Sequence, residues 1–420
     1  MAKVAVYTIG CKVNQAESEE LKMDLARFGH TICGDPAEAD LCVVNTCTVT
    51  AESSRKSRKL IRYLGRRGAE RIVASGCYAQ IDPDALSYLP GLVALVPNSL
   101  KESWCKTIIS LLPQPEQMQS VSIPLRTRGF IKVQDGCERF CSYCIVPLAR
   151  GRERSRSPSR VLKAASEWIE RGSGELVLCG VNLGRYSWGR DYDLRDLVKD
   201  IAALDGDFRI RLSSIELEDF RLEWLEEWSD MQKVCPHLHL PLQSGDAGIL
   251  KDMGRSYSPE NFISISRFIR QRWPGAALTT ELIVGYPGES EDAFRETLRV
   301  LEEVRPARVH VFRFSPRPGT RAWERKDLTA AKVTAKRSTL ARKMADGWRR
   351  SYAEERVGDI CHMVAEKIEE KEGCKTASGV TEDYIKAVYE NPPAHAIPGC
   401  ILEARIDGLR DGRALLVRPA

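Results

Sequence analysis

The sequence predicts an α/β protein in three parts: an amino-terminal parallel α/β domain, a central (βα)6 partial barrel and a small carboxyl-terminal β-barrel. Three observations support this. Short apolar runs alternate with helical stretches before residue 110, the same alternation restarts at Gly129 and repeats six times, and the last segment holds short alternating runs broken by glycine and proline. A chain of 420 residues is also long for one hydrophobic core.

The amino-terminal domain is predicted over residues 1–110. Strands are expected at 4–9, 41–45, 71–75 and 92–96, with helices at 15–29 and 51–67. Such alternation is typical of a parallel sheet with right-handed crossovers. Residues 111–128 contain proline and glutamine without a clear period, and we interpret them as a linker.

The central domain is predicted over residues 129–326. Its six strands are expected at 130–134, 175–180, 209–215, 237–243, 278–286 and 308–315, with helices at 159–171, 194–204, 221–231, 259–272 and 290–304. Six βα units are too few to close an eight-stranded barrel, but they suit an open one.

A charged helical connector is predicted over residues 327–357, followed by the small β-barrel over residues 358–420. Strands in that barrel are expected at 380–389, 401–406 and 414–417.

The composition is that of an ordinary globular protein, with 43% hydrophobic and 29% charged residues. No apolar run approaches the roughly 18 residues that span a bilayer, and the first residues lack a secretory signal. We therefore expect a cytoplasmic protein with no membrane partner. In that reducing compartment, 14 cysteines favour metal ligation or redox chemistry over disulfides. The net charge of +5 is mild, so nucleic-acid binding has to be argued from local patches.

The strongest local motif is GCERFCSYC, which spaces Cys137, Cys141 and Cys144 as C-x3-C-x2-C. Thiolates are ligands for iron–sulfur clusters and for zinc. Structural zinc needs four ligands, and no fourth Cys or His is near these three in sequence. Three cysteines can instead hold three irons of a four-iron cluster and leave the fourth iron open. A zinc knuckle with a distant fourth ligand is the alternative.

A second set comprises Cys11, Cys47 and Cys77, each just after a predicted strand. The carboxyl ends of parallel strands share one edge of the sheet, where such sheets bind ligands. A second three-cysteine cluster follows as a hypothesis, and chance placement is the alternative. Gly10 and Gly76 allow close backbone approach there and favour the site. His237 and His239 share one strand face, where a core or rim pair is favoured over ligands.

These motifs resemble a known family. The cysteine loop at the start of a (βα)6 domain resembles the radical S-adenosylmethionine superfamily, and nearly the whole chain resembles the methylthiotransferases within it. The matching motifs are TIGCKVNQAESE, VVNTCTVTAESSRKSRKLIR, ASGCYAQ, CERFCSYCIVPLARGRERSR, HLPLQSG, ELIVGYPGES and HVFRFSPRPGTRA, and the tail resembles a TRAM module. The residues after Cys11 and Cys47 look most like members that act on N6-threonylcarbamoyladenosine in tRNA. Leu148 stands where the family commonly has an aromatic residue, and Glu281 stands where it has Asp.

The resemblance implies two 4Fe-4S clusters and S-adenosylmethionine. The Cys137/Cys141/Cys144 cluster would bind S-adenosylmethionine and generate a 5′-deoxyadenosyl radical. The Cys11/Cys47/Cys77 cluster would carry the sulfur that becomes the methylthio group on C2 of the base, at tRNA position 37 next to the anticodon. A flavodoxin- or ferredoxin-like electron donor is also implied.

Candidate contacts of S-adenosylmethionine are expected at the carboxyl ends of the barrel strands, where barrel active sites lie. These candidates, each of which rim packing also explains, are Ser213, Ser214, Gln243, Gly285, Pro287 and Gly288.

Substrate binding is argued from charge. Cations cluster along the predicted helix 51–67, where one apolar stripe leaves them facing outward, and again after the cysteine loop. Both patches suit a phosphate backbone, although a solvated surface is the alternative. The candidate RNA contacts are Arg55, Lys56, Arg58, Lys59, Arg62, Arg150, Arg152, Arg154 and Arg156.

We therefore predict a radical tRNA methylthiotransferase acting on N6-threonylcarbamoyladenosine. The nearest alternatives are the same chemistry on N6-isopentenyladenosine of tRNA or on an aspartate of a ribosomal protein. A non-catalytic iron–sulfur carrier is a further alternative, against which the basic patches argue.

Overall fold

A computed structural model describes residues 1–113, 126–371, 373–412 and 414–419. Most of the predicted linker 111–128 lies outside the described residues. The chain separates into two compact units, each built from several segments. Unit 1 comprises Met1–Arg126, Asp135–Arg154 and Ser315–Glu324. Unit 2 comprises Thr127–Gln134, Ser155–Phe314 and Arg325–Ala420.

The strands are, in chain order, β1 (Lys3–Thr8), β2 (Thr31–Cys33), β3 (Leu41–Thr46), β4 (Ile72–Gly76), β5 (Leu92–Pro97), β6 (Arg128–Lys132), β7 (Gln134–Asp135), β8 (Arg154–Ser155), β9 (Glu175–Cys179), β10 (Ser187–Trp188), β11 (Tyr192–Asp193), β12 (Arg209–Leu212), β13 (His237–His239), β14 (Ala277–Val284), β15 (Arg308–Arg313), β16 (Ile360–Lys371), β17 (Cys374–Thr381), β18 (Lys386–Glu390), β19 (Ile401–Arg410) and β20 (Ala414–Arg418). The helices are α1 (Lys12–Arg27), α2 (Ala51–Arg66), α3 (Cys77–Ile81), α4 (Asp84–Ser87), α5 (Trp104–Ser110), α6 (Val146–Arg150), α7 (Pro158–Glu170), α8 (Leu194–Ala202), α9 (Leu222–Trp228), α10 (Ala247–Met253), α11 (Pro259–Arg272), α12 (Glu291–Val304) and α13 (Ala331–Glu355).

Unit 1 contains a parallel five-stranded sheet in the order β2-β1-β3-β4-β5. Strands β3 and β4 are buried along their whole length, which explains the apolar runs LCVV and IVA with which they begin. The four predicted strands are present, whereas β2, only three residues long, was too short to show a pattern. Helix α2 begins at Thr50, whose side chain accepts a hydrogen bond from the backbone N–H of Ser53. Its buried stripe includes Ile61 and Leu64.

Unit 2 contains six parallel strands. Two sheets, β12-β9-β6 and β13-β14-β15, are joined by isolated parallel bridges from Ile210 to Val234 and from Ser214 to His239. The partial barrel expected from six βα repeats is therefore confirmed. Its helices begin where the sequence supplies caps, as at Ser258 before α11 and Ser290 before α12.

The carboxyl-terminal part of unit 2 is a closed barrel in the order β16-β17-β18-β20-β19, which completes the predicted α/β fold class. The single strand expected at 380–389 is wrong. Strand β17 ends at Thr381 and β18 begins at Lys386, because a turn with Tyr384 at φ 69° separates them. The polar sequence of this turn was the missed signal. Strand β16 was also not predicted, because its carboxyl-terminal half consists mostly of charged residues.

A buried charge cluster lies within unit 2. Glu175 has no exposed surface, and it pairs with Arg211 at 2.7 Å, with Arg209 at 2.7 Å and with Arg128 at 3.2 Å. Burial alone would raise the pKa of Glu175, but the charges of Arg211 and Arg209 outweigh it and hold the pKa well below its usual value. Arg209 and Arg211 also donate to the backbone carbonyls of Val380 and Thr381. The cluster thus links strands β9 and β12 to the carboxyl-terminal barrel.

Candidate functional site

The C-x3-C-x2-C loop lies in unit 1 and is held by its own backbone. The N–H of Cys137 donates to the carbonyl of Gly151 at 3.1 Å, and the N–H of Cys144 donates to that of Cys141 at 2.9 Å. Gly136 precedes the loop at φ 74°, and a Cβ there would collide with the Arg152 carbonyl. The loop therefore requires glycine at this position.

Cys11, Cys47 and Cys77 lie at one edge of the unit 1 sheet. They follow the carboxyl ends of β1, β3 and β4, and Cys77 is the first residue of α3. Cys47 and Cys77 are buried, whereas solvent reaches Cys11. The Asn98 amide donates to the Cys77 sulfur at 3.3 Å. The topology thus gathers three cysteines that are far apart in sequence, as the strand-end pattern predicted.

Two glycines permit this close approach. A Cβ on Gly10 (φ 118°) would lie 2.9 Å from Cβ and 3.1 Å from Sγ of Cys47. A Cβ on Gly76 (φ 97°) would lie 2.5 Å from the Asn45 side-chain oxygen. Both positions therefore exclude any larger residue, as expected from their place beside the cysteines.

The electrostatics show that these thiols are neighbours. Burial, followed by the Cys77 and Cys11 thiols, raises the pKa of Cys47 to about 11. The protein around Cys11 desolvates its thiol and raises its pKa although part of the side chain is exposed, while the Arg150 charge lowers it. A thiolate cluster in this position is thus favoured by bound metal and by nearby cations.

The side chains present fit iron–sulfur clusters, because each of the two cysteine sets offers three thiols. Beside the Cys11/Cys47/Cys77 set, Gly10 and Gly76 have no side chain that would collide with neighbouring atoms. Within the described parts of the chain, no three His, Cys, Asp or Glu side chains already stand at metal-binding spacing. Cluster binding therefore requires the thiols to turn toward one another on backbones that the fold has already gathered.

Arg150 corrects the prediction of an RNA contact. It is 5% exposed and pairs with Asp135 at 2.8 Å and with Glu17 at 3.0 Å. It also donates to the Asn14 side chain, which in turn donates to the Thr46 carbonyl at 3.0 Å. Two buried carboxylates therefore hold this guanidinium inside unit 1, away from any phosphate.

The other predicted RNA contacts differ in exposure. Exposed cations are Arg55, Lys56, Lys59, Arg62, Arg152 and Arg154, whereas Arg58 and Arg156 are half-buried. Arg55 pairs with Glu52 at 2.8 Å, and Arg58 donates to the Tyr78 hydroxyl. Helix α2 consequently presents a cationic outer face, as its single apolar stripe predicted.

The barrel residues proposed to contact S-adenosylmethionine lie in unit 2 after the ends of strands. Gln243, at φ 64°, is buried and donates to Glu281 at 2.8 Å, while its side-chain oxygen has no protein partner among the described residues. The N–H of Gly285 donates to Glu289 at 2.7 Å, and that of Gly288 to the Asp327 carbonyl at 3.2 Å.

Ser213 also lies in unit 2, where its hydroxyl accepts a hydrogen bond from the N–H of Gly180 at 3.3 Å. Ser214 is half-buried, and its backbone forms the bridge to His239. Pro287 is buried between the two glycines.

Glu281 and His239 were each noted in the sequence, but the polar cluster that they form was not predicted. The His239 ring lies 3.9 Å from the Glu281 carboxylate and 5.9 Å, centroid to centroid, from the His310 ring. Burial raises the pKa of Glu281, but hydrogen bonds and charge from His239 outweigh it and lower the pKa. His237 and His239 both hydrogen-bond the Thr279 hydroxyl, which agrees with the expected core or rim pair. The only sequence signal was polar residues inside β13 and β14.

Together, the parallel partial barrel and the three-cysteine loop define the chain as a radical S-adenosylmethionine enzyme. Residues 131–301 match the Radical SAM superfamily, and residues 3–97 match the uncharacterized protein family UPF0004. The fold is similar to the radical S-adenosylmethionine methyltransferase TsrM of Kitasatospora setae, with a TM-score of 0.55 at 14% identity over 74% of this chain and 73% of that chain.

Two relatives are more similar in sequence. The threonylcarbamoyladenosine tRNA methylthiotransferase MtaB of Thermotoga maritima is 38% identical over 77% of both chains. The MtaB of Bacillus subtilis is 33% identical over 93% of this chain and 91% of its own length. The chain belongs to the radical S-adenosylmethionine tRNA methylthiotransferase family. Membership implies a 4Fe-4S cluster and S-adenosylmethionine as cofactors. None of the helices in the described ranges is long and apolar enough to cross a membrane.

Proposed function

We propose that this enzyme adds a methylthio group to C2 of N6-threonylcarbamoyladenosine at position 37 of tRNA, using two 4Fe-4S clusters. The gathering of Cys11, Cys47 and Cys77 at one sheet edge carries the proposal. This second thiol set lies in the same compact unit as the Cys137/Cys141/Cys144 loop. A non-catalytic carrier needs neither two thiol sets nor the cationic face of α2.

The cysteine residues divide into two roles. Cys137, Cys141 and Cys144 hold the cluster that, with S-adenosylmethionine, supplies the radical chemistry for the unreactive C–H bond. Cys11, Cys47 and Cys77 hold the auxiliary cluster, which we assign to the sulfur. Burial of Cys47 and Cys77 restricts the access of water and oxygen to that site.

The barrel contributes the proposed contacts to S-adenosylmethionine. Ser213, Ser214 and Gln243 offer hydroxyl and amide groups at strand ends. Gly285, Pro287 and Gly288 shape the loop after β14, where a Cβ on Gly285 would collide with Thr334. The Gln243 side-chain oxygen, which has no protein partner within the described ranges, is suited to accept a hydrogen bond from the cofactor's amino or hydroxyl groups.

Positive charge and exposed aromatic rings support an RNA substrate. Exposed cations of α2, together with Arg152, Arg154 and the half-buried Arg156, suit a phosphate backbone. Phe140 in the cysteine loop is 59% exposed at φ 49°, and Trp323 is 49% exposed. The N–H of Ala322 donates to the Ser142 carbonyl at 2.8 Å, which brings the Trp323 segment to the loop. Unpaired bases stack on such rings.

The choice of modified adenosine rests on the relatives, since both enzymes compared above are named for threonylcarbamoyladenosine. The same chemistry on N6-isopentenyladenosine, or on a ribosomal-protein aspartate, is the alternative. The proposal places the enzyme in the cytoplasm, supplied with electrons by a flavodoxin- or ferredoxin-like donor.

Nucleoside mass spectrometry of total tRNA tests the proposal in cells with and without the gene. We expect loss of 2-methylthio-N6-threonylcarbamoyladenosine and accumulation of its precursor, restored by the wild-type gene but not by a Cys47→Ala copy. Loss of the isopentenyl nucleoside instead would reassign the substrate. Unchanged methylthio nucleosides would exclude both RNA substrates and direct attention to ribosomal proteins.

A further inference from the structure

Arg317 is a buried cation that forms no ion pair with a carboxylate of the described residues. Its side chain belongs to unit 1 and the residue is 8% exposed. One terminal nitrogen donates to the hydroxyls of Thr48 at 2.6 Å and Ser54 at 3.3 Å, and those hydroxyls lie 2.9 Å apart. Its Nε has no protein partner in the described part of the chain. Uncharged hydroxyls satisfy the donors only in part and leave the charge unbalanced.

Three other buried arginines of this protein each pair with a carboxylate. Arg150 faces Asp135 and Glu17, Arg211 faces Glu175, and Arg337 faces Glu289 at 2.7 Å. Burying a guanidinium is costly unless an anion repays the lost hydration. Among the described residues no carboxylate forms an ion pair with Arg317, so its charge is left for a further anion to balance.

The anion is identified by what surrounds the guanidinium. Thr48 directly follows Cys47, and the Ser57 hydroxyl both accepts from the Cys47 N–H at 3.2 Å and donates to its carbonyl at 3.1 Å. Burial lowers the pKa of Arg317, Tyr78, then Cys47 and then the exposed Asp82 raise it, and the half-buried Arg58 lowers it further. Cys47 becomes a thiolate when it binds metal, and it is then a buried negative charge beside Arg317.

The two buried arginines near the Cys11/Cys47/Cys77 set, Arg150 and Arg317, differ in how their charge is balanced. Arg150, on the side of Cys11, is already neutralised by Glu17 and Asp135. Lys101 shares Glu17 at 3.3 Å and Arg154 shares Asp135 at 3.4 Å, so each cation of this network is paired with a protein carboxylate. Arg317 contributes a net positive charge, and it does so beside the Cys47 thiol.

We propose that Arg317 is the buried countercharge of the auxiliary cluster, holding its guanidinium against Thr48 and Ser54 to offset the charge of the ligating thiolates and to raise the reduction potential. A positive charge in a low-dielectric site favours the more negative, reduced state of the cluster. Arg317 is thus a positioning and electrostatic residue. This inference rests on the proposed second cluster.

The test isolates that cluster in the full-length chain. In a Cys137→Ala/Cys141→Ala/Cys144→Ala background, reconstituted without oxygen, iron content and the midpoint potential are measured by redox titration followed by electron paramagnetic resonance. Arg317→Gln removes the charge, and Arg317→Lys keeps it. Arg321→Gln is the matched control, because Arg321 is an exposed arginine of the same segment.

We expect the potential to fall in Arg317→Gln, to return most of the way in Arg317→Lys, and to stay unchanged in Arg321→Gln. Loss of iron in Arg317→Gln with retention in Arg317→Lys also supports a role for the charge. Equal potentials in the glutamine variant and its parent would overturn the inference, as would iron loss in both Arg317 variants. A parent that binds no iron would instead contradict the second cluster and the proposed function.

Discussion

The guanidinium of Arg150 donates to the carboxylate of Glu17 at 3.0 Å, and both side chains are buried. Glu17 lies on α1, which begins directly after Cys11, whereas Arg150 is the last residue of α6, beyond Cys144. The pair therefore joins the helix that follows one thiol to the helix that follows the cysteine loop. The same guanidinium nitrogen of Arg150 also donates to Asp135 at 2.8 Å.

Replacement of Arg150 by Met is expected to destabilise unit 1 by about 3–5 kcal/mol, because the buried carboxylates of Glu17 and Asp135 lose the cation that they share. Urea unfolding followed by circular dichroism measures the change. The control is Arg152→Met, an exposed neighbour for which we expect less than about 0.5 kcal/mol. An unchanged unfolding midpoint in Arg150→Met would show that the buried pair contributes nothing to stability.

Mutations in the two cysteine sets are expected to affect different activities. Cys141→Ala abolishes reductive cleavage of S-adenosylmethionine, since that cluster loses a ligand, whereas Cys47→Ala retains cleavage and loses methylthio transfer. Chromatography of 5′-deoxyadenosine, beside mass spectrometry of the tRNA nucleosides, reads out both activities. Sulfur transfer by Cys47→Ala would disprove the auxiliary site.

The cationic face of α2 is expected to bind phosphate. Lys59→Gln combined with Arg62→Gln should weaken tRNA binding and reduce the slope of log affinity against log salt by about 1–2, since each phosphate contact contributes roughly 0.7–0.9. Fluorescence anisotropy over a salt series measures it. The matched control, Lys332→Gln with Lys336→Gln, removes two exposed cations from α13. Equal slopes in the two double variants would mean that α2 is only a solvated face.

The exposed rings beside the cysteine loop are expected to stack on bases. Phe140→Ala and Trp323→Ala should each lower affinity for an anticodon stem-loop by about 1–3 kcal/mol while leaving iron content unchanged. Trp188→Ala is the control, because Trp188 is 47% exposed on β10 in unit 2. Calorimetric titration compares the three, and a loss shared by all would argue against a local stacking site.

Acid should weaken the Glu175 cluster. Because the folded pKa of Glu175 lies below its unfolded value, its contribution is fully present above the unfolded pKa and is lost as pH falls through the folded pKa. We expect Glu175→Gln to cost about 3–5 kcal/mol at neutral pH. The difference from wild type should shrink as the pH falls below about 4.5.

Unfolding curves from pH 7 to pH 3 test this dependence. Glu354→Gln serves as the control, because Glu354 is exposed and pairs with Arg350 one helical turn away. We expect it to change stability by less than about 0.5 kcal/mol. A stability difference between Glu175→Gln and wild type that stays constant from pH 7 to pH 3 would contradict this dependence.

Local patterns predicted much of the fold. Strands β3 and β4 are buried along their whole length and begin with short apolar runs, and the parallel arrangement brings Cys47 and Cys77 to one edge. The two cysteine sets could therefore be proposed from the sequence, one from its position after strand ends and the other from its C-x3-C-x2-C spacing. Strand β16 was not predicted because its outer half is charged, and the turn at Tyr384 was hidden inside a run of alternating residues.

Burial of charge could not be predicted from the sequence. Arg150 sits in a dense arginine run that favours a solvent-exposed patch, yet its partner Glu17 is 133 positions away. Arg317 contacts Thr48 across 269 positions, and Glu281 meets Gln243 across 38. Such pairings depend on tertiary contacts, which neither periodicity nor composition encodes.

The discontinuous make-up of unit 1 has a consequence for its synthesis. Its sheet is made first, but the segment Ser315–Glu324, which carries Arg317, follows only after most of unit 2. At ~5–20 residues per second, a ribosome delivers that segment roughly 10–40 s after residue 126. Until then the nascent domain lacks a buried cation beside Cys47. Loading of metal at the sheet edge is therefore expected to begin only after residue 324 has been synthesised.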